Sequence, residues 1–135
     1  MEDVIATRTK TRKPKEAPAA EAQSLEFAKA AAKLAADTRC SAVLVLDVKG
    51  LSPVTDYFVL ATGTSGRQMK SVSEDIETLA AERNDHVMNR SIDEHWVLLD
   101  FVNVVVHIFD TDARLYYDLE GLYGDAKRVE WRTEG

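Results

Sequence analysis

The sequence predicts an α+β fold, a mixed β-sheet with helices packed on it, and three observations carry that expectation. Four apolar runs have the length and residue types of strands: residues 42–46, 57–62, 96–101 and 104–109. The link between the first two, residues 49–56, holds Gly50 and Pro53 and is too short for a helical crossover. Those two strands should therefore pair antiparallel. Between the strand pairs lies a long segment with apolar residues at helical spacing, entered through a polar turn. Strands and helices of these lengths make a layered sheet-and-helix domain.

The elements follow in order. Residues 1–23 have low hydrophobicity, two prolines and an Ala/Glu-rich end, and read as a disordered tail. Ser24 can cap a first helix, with Phe27, Ala31 and Leu34 as its buried stripe and an end near Asp37-Thr38. The apolar run 42–46 should be covered on both faces. After the second strand, Ser65 and Gln68 stand at capping-box spacing and open a helix to about Arg83. Met69, Val72, Ile76, Leu79 and Ala80 form its core face. A short strand at 86–88 would complete a strand–helix–strand unit, and 89–95 reads as a polar loop. The last two strands form a hairpin through Val102-Asn103. Asp110 or Thr111 caps a final helix with Leu115, Leu119 and Leu122 inside, and Gly124 suits the position past its end. The domain proper spans 24–124, and 125–135 is a charged C-terminal extension with an added edge strand near Val129 and Trp131.

Size and composition bound the function. A chain of 135 residues and 15.0 kDa suits one domain with one core. No apolar run approaches the roughly 20 residues that span a bilayer, so no membrane partner is expected. The N-terminus is polar and lacks the apolar segment of a signal peptide. The single cysteine, Cys40, cannot form an internal disulfide, which fits a reducing compartment and a cytoplasmic location. Of the 17 basic and 23 acidic residues, five and four lie in 1–23, so the remainder carries about −7 and the tail about +1. An acidic domain is a poor binder of nucleic-acid phosphates and a good partner for a basic protein surface. Sequence-specific nucleic-acid binding is not expected.

Three groups of residues are candidates for chemistry or binding. The turn Gly63-Thr64-Ser65-Gly66-Arg67 opens a helix, and backbone N–H groups there attract anions. It lacks a Walker lysine and a G-x-G-x-x-G pattern, and the simpler reading is a turn glycine plus a helix cap. Asp47, Asp100 and Asp110 can converge at strand ends, although carboxylates also commonly end strands and cap helices. His86, His95 and His107 have no shared helical spacing, so no metal site and no cofactor are expected. The third group is a mixed strand face. Trp96, Leu98 and Asp100 point one way, while Val97 and Leu99 point the other. An aromatic, a leucine and a charge together suit an interface, joined by Tyr116, Tyr117, Glu120 and Tyr123 from the last helix. The alternative is an ordinary sheet face packed by that helix.

The ordered blocks Asp47-Val48, Thr55-Asp56-Tyr57-Phe58-Val59, Gly63-Thr64-Ser65 with Arg67-Gln68, Trp96-Val97-Leu98-Leu99-Asp100, Val104-Val105-Val106-His107 with Phe109, and Arg114 with Tyr117, Leu119-Glu120 and Leu122 carry a resemblance. In that order and spacing the chain resembles the ribosomal silencing factors of the RsfS/Iojap family, over about residues 24–124. It departs at Asn89-Arg90-Ser91, where the family commonly has a Glu-Gly pair, and at Leu122-Tyr123, where the family has Leu-Trp. The resemblance implies a nucleotidyltransferase-like fold without the catalytic carboxylates, and no enzyme activity. It implies binding to the large ribosomal subunit through ribosomal protein fourteen, a block on subunit joining, and repression of translation. A homodimer is a further expectation for the free protein. The competing expectation is a nucleotide- or RNA-binding enzyme of nucleotidyltransferase type, built on the turn from Gly63 to Arg67.

Overall fold

The computed structural model describes residues 17–132. Six strands form one mixed sheet: β1 (Ser41–Asp47), β2 (Tyr57–Thr62), β3 (Asn89–Ile92), β4 (Trp96–Asp100), β5 (Val104–Phe109) and β6 (Lys127–Val129). Their spatial order is β3-β4-β5-β2-β1-β6. Among the described strands only β2 and β5 pair in parallel; β1 pairs antiparallel with both β2 and β6, and β4 with both β3 and β5. The antiparallel β1–β2 pair and the β4–β5 hairpin are as the sequence predicts, and the mixed α+β class holds.

Helices α1 (Ala17–Asp37) and α2 (Gly66–Glu82) lie on one face of the sheet. Ala28, Ala31, Ala32 and Ala35 are fully buried, and such small side chains let α1 approach the strands closely. Met69, Val72, Ile76 and Ala80 of α2 close the same core over Val59, Ala61, Val97, Leu99, Val106 and Ile108. The opposite face carries a second core of Leu46, Phe58, Leu60, Trp96, Leu98, Val105 and Phe109. It is covered by two short helices, α3 (Thr111–Tyr117) and α4 (Leu119–Leu122), and by the segment leading into β6. The alternation along β4 and β5 sends every second side chain to each core.

The structure departs from the sequence reading in three places. Helix α1 starts at Ala17, so Ser24 lies inside it and is buried rather than capping its start. The alanine-rich run upstream is strongly helix-forming, and Pro18 stands in the first turn, where proline is tolerated. Residues 1–16, the rest of the expected tail, lie outside the described residues. The short strand forms at Asn89–Ile92 rather than at 86–88, in the segment read as a loop. It is an edge strand held by pairing to β4, and its alternating exposure needs few apolar residues. The final helix is broken at Asp118, which adopts the left-handed conformation (φ 45°). That break shifts the helical phase, so Leu115 and Leu122 face solvent and only Leu119 is half-buried.

Candidate functional site

The mixed face of β4 is not a free surface. Trp96 and Leu98 are buried in the second core, and Asp100 is 0% exposed. Each is held by a specific partner. The Trp96 indole Nε1–H donates to His107 Nδ1 at 3.0 Å, one strand away on β5. Phe58 meets the His107 ring edge-on at 5.0 Å, and Phe109 stacks parallel to it at 5.8 Å. Burial pushes His107 down to about 3, so the imidazole is neutral. With Nδ1 accepting, Nε2 carries the proton. Asp100 serves the hairpin turn. Its Oδ1 accepts from the Val102 N–H at 2.8 Å, and Asn89 Nδ2 donates to its Oδ2 at 3.3 Å. Val102 has φ 77°, a conformation a β-branched residue rarely adopts, and Asp100 supports it.

The last helical segment supplies what is exposed. Tyr117 is 45% exposed, and its ring lies 4.4 Å from that of Trp96. Tyr116 stands against it edge-on at 4.9 Å. Leu115, Tyr116 and Leu122 are 74%, 82% and 72% exposed. The same stretch of chain also exposes acidic groups, Asp112, Asp118 and Asp125. The basic residue of residues 110–125 is Arg114, which is buried. Glu120 and Tyr123 are half-buried. Glu120 accepts from Arg114 Nε at 2.8 Å, which holds its carboxyl below the usual range. Tyr123 packs edge-on against Phe58 at 4.9 Å. The residues expected at an interface thus divide. Trp96, Leu98 and Asp100 are internal, Tyr116 and Tyr117 are exposed, and Glu120 and Tyr123 line the margin between the two.

Leu115 and Leu122 were missed because helical periodicity continued through Asp118 places both leucines inside. The available signal was Asp118 with Gly121 three residues on. Asp118 Oδ1 accepts from the Gly121 N–H at 3.1 Å and so starts α4 afresh.

The turn at residues 63–67 is occupied by its own helix. Ser65 caps α2 by accepting from the Gln68 N–H at 3.1 Å, as its spacing predicts. Gln68 Oε1 accepts from the Thr64 N–H at 3.0 Å, and its Nε2 donates to the Thr38 carbonyl at 2.9 Å. Gly63 is required by space: a Cβ there would lie 2.1 Å from Met69 Cγ. Arg67 and Lys70 are exposed beside it.

The strand-end carboxylates do not converge. Asp100 lies opposite Val105 at the start of β5, whereas Asp110 follows its end, about 16 Å along the strand at the usual rise. Asp47 shares the Asp100 end of the sheet but lies across β2 and β5, about 14 Å away at the usual strand spacing. Asp47 pairs with Lys49 at 3.1 Å. Asp110 caps α3 through the Ala113 N–H at 2.8 Å and binds His95 Nδ1 at 2.6 Å. The Ala113 N–H, then His95, keep the Asp110 carboxyl below its ordinary range, and Asp110 raises His95 in turn. Among the described residues, no group of three or more histidines, cysteines or carboxylates is placed to hold a metal. No described helix is long and apolar enough to cross a membrane.

Known proteins resemble this chain in sequence and fold. The family model described as ribosomal silencing factor during starvation matches residues 21–134, extending past the 24–124 expected from the resemblance. The chain is 42% identical over 100 residues to the ribosomal silencing factor RsfS of Bacillus subtilis, covering 73% of this chain and 85% of that protein. It is 37% identical over 111 residues to the chloroplastic protein Iojap of Arabidopsis thaliana, covering 82% of this chain and 47% of that longer protein. A crystal structure of a Chromobacterium violaceum protein superposes with a TM-score of 0.70 at 28% identity, over 82% of this chain and 92% of that one. A Bacillus halodurans crystal structure gives 0.64 at 31% identity, over 78% and 95%. Sequence and fold agree, and the chain belongs to the RsfS/Iojap family of ribosomal silencing factors.

Proposed function

We propose that this protein is a cytoplasmic ribosomal silencing factor. It binds the large ribosomal subunit through ribosomal protein fourteen, on the face that meets the small subunit. Its bulk there blocks subunit joining and represses translation, with no reaction catalysed. Family membership supports the silencing role. The observation that carries the binding mode is the ridge of Leu115, Tyr116, Tyr117 and Leu122, exposed on the same stretch of chain as Asp112, Asp118 and Asp125. Exposed aromatic anchors on an acidic stretch of chain suit a basic protein surface, which they attract at a distance and grip by desolvation. Trp96 and Leu98 act from beneath, as the floor on which the ridge is built.

Sedimentation of cell extract tests the reading. The protein should travel with free large subunits and be absent from joined ribosomes, and added protein should lower the joined fraction. A pull-down with purified large-subunit proteins should retain protein fourteen. Equal occupancy of joined ribosomes and free subunits would contradict the block. The free protein is expected to form a homodimer, which sedimentation equilibrium over a concentration series measures.

A further inference from the structure

We infer that His107 is a positioning residue for the ribosome-binding ridge, acting through Trp96 on Tyr117. The inference rests on the ridge reading above and deepens it by naming the internal group that holds the ridge in shape.

The argument follows the chain of contacts outward. His107 sits on β5 in the second core, is 2% exposed, and lies opposite Leu98. Phe58 and Phe109 flank its ring, so the imidazole has little freedom to turn. A fixed ring places Nδ1 as a fixed acceptor, 3.0 Å from the Trp96 indole nitrogen. A buried indole N–H needs such an acceptor, and here the acceptor selects the orientation of the whole ring. Trp96 in turn is the surface on which Tyr117 rests, with the centroids 4.4 Å apart and the planes inclined at 48°. Tyr117 is the last residue of α3, next to the left-handed Asp118, where the helix itself constrains the chain least. The ring beneath therefore decides where Tyr117, and Tyr116 against it, point. His107 is almost wholly buried, and an aliphatic side chain could fill its space. A polar imidazole at that position is explained by the indole it holds.

Two variants separate this role from simple packing. His107→Phe keeps a flat ring and removes the acceptor. His107→Gln offers an amide oxygen in its place. Free wild-type and variant proteins carrying 13C-labelled tyrosine are compared by NMR, and large-subunit affinity is measured on the same samples. Thermal melts confirm folding, and Ile76→Val, in the other core, serves as a control for lost stability alone. The Tyr117 ring signals should shift in His107→Phe and stay close to wild type in His107→Gln. Affinity should fall about fivefold or more in His107→Phe, the size of a lost interface anchor. It should be recovered largely in His107→Gln and be unchanged in Ile76→Val. In a Trp96→Phe background, which lacks the donor, His107→Phe should add no further loss, since the two residues act as one unit. Unshifted Tyr117 signals in folded His107→Phe overturn the inference. So do additive losses in the Trp96→Phe background. If wild-type protein fails to bind large subunits, the proposed function falls instead, and the tyrosine signals still decide whether His107 positions Tyr117.

Discussion

Arg114 reaches back 72 residues along the chain to donate from Nη1 to the Ala42 carbonyl at 2.7 Å. The same nitrogen donates to Thr62 Oγ1 at 2.9 Å, while Nε binds Glu120. Ala42 lies in the bulge of β1 and has φ 48°. One guanidinium thus ties α3 and α4 to the ends of β1 and β2. Arg114→Met should destabilise the fold by about 3 kcal/mol, because charge-assisted bonds are lost and their acceptors are left unpaired. Arg114→Lys should recover only part, since an ammonium lacks the planar fork. Urea unfolding measures both. A loss under about 1 kcal/mol for Arg114→Met would show that the tie is dispensable.

His107 makes stability depend on pH. Its folded value is pushed down to about 3, against about 6.5 for an unfolded histidine. Between those values the unfolded chain binds one more proton than the folded one. Stability is therefore full above about pH 6.5 and falls as pH drops toward about 3, by up to about 1.4 kcal/mol per pH unit. His95 acts in the opposite sense, because Asp110 raises it. Its contribution is present at low pH and fades as pH rises through its folded value. A His95→Gln background removes that offset. Urea unfolding between pH 5 and 7 in that background, where most carboxylates stay ionised, isolates His107. The slope should vanish in the His107→Gln double variant, and equal slopes would remove His107 as its cause.

Ser65 tests the turn at residues 63–67. Ser65→Ala removes the acceptor for the Gln68 N–H and should cost about 1 kcal/mol of stability. Affinity for large subunits should be nearly unchanged. Calorimetry with ATP, GTP or CTP plus magnesium should give no heat of binding for wild type. Tight magnesium-dependent binding, abolished in the variant, would restore the enzyme reading.

Much of this was legible in the chain. Apolar runs and the short link at 49–56 specify the paired strands because burial and loop length leave few alternatives. Ser65 and Gln68 locate α2 because a cap is a local interaction between near neighbours. The proposed interface was only half legible. Alternation correctly put Trp96, Leu98 and Asp100 on one face, but exposure depends on what covers that face. The cover comes from residues 113–126, whose path turns at a single left-handed aspartate. Trp96→Ala is accordingly expected to unfold before it unbinds, costing about 3–5 kcal/mol of stability as buried aromatic deletions do. Asp100→Ala should loosen the hairpin by leaving the Val102 N–H without its acceptor.

Electrostatic steering is tested where charge is exposed. Glu120 is engaged by Arg114 and Asp118 starts α4, so reversing either would disturb the fold as well as the field. Asp112 and Asp125 are exposed, flank the ridge in sequence, and form no part of the Arg114 tie. Reversing both to lysine changes the local charge by four units while the apolar ridge stays in place. If the partner surface is basic, wild-type association should be fast at low salt and slow as ionic strength rises, because salt screens the attraction over about 10 Å at 0.1 M. The Asp112→Lys/Asp125→Lys variant should associate about tenfold more slowly at low salt, with a flatter salt dependence and a dissociation rate close to wild type. Stopped-flow or surface-based kinetics over a salt series read both rates. A dissociation rate that rises as much as association slows would place these carboxylates in direct contact with the partner. Wild-type association independent of salt would remove steering from the mechanism and leave the aromatic ridge to account for binding alone.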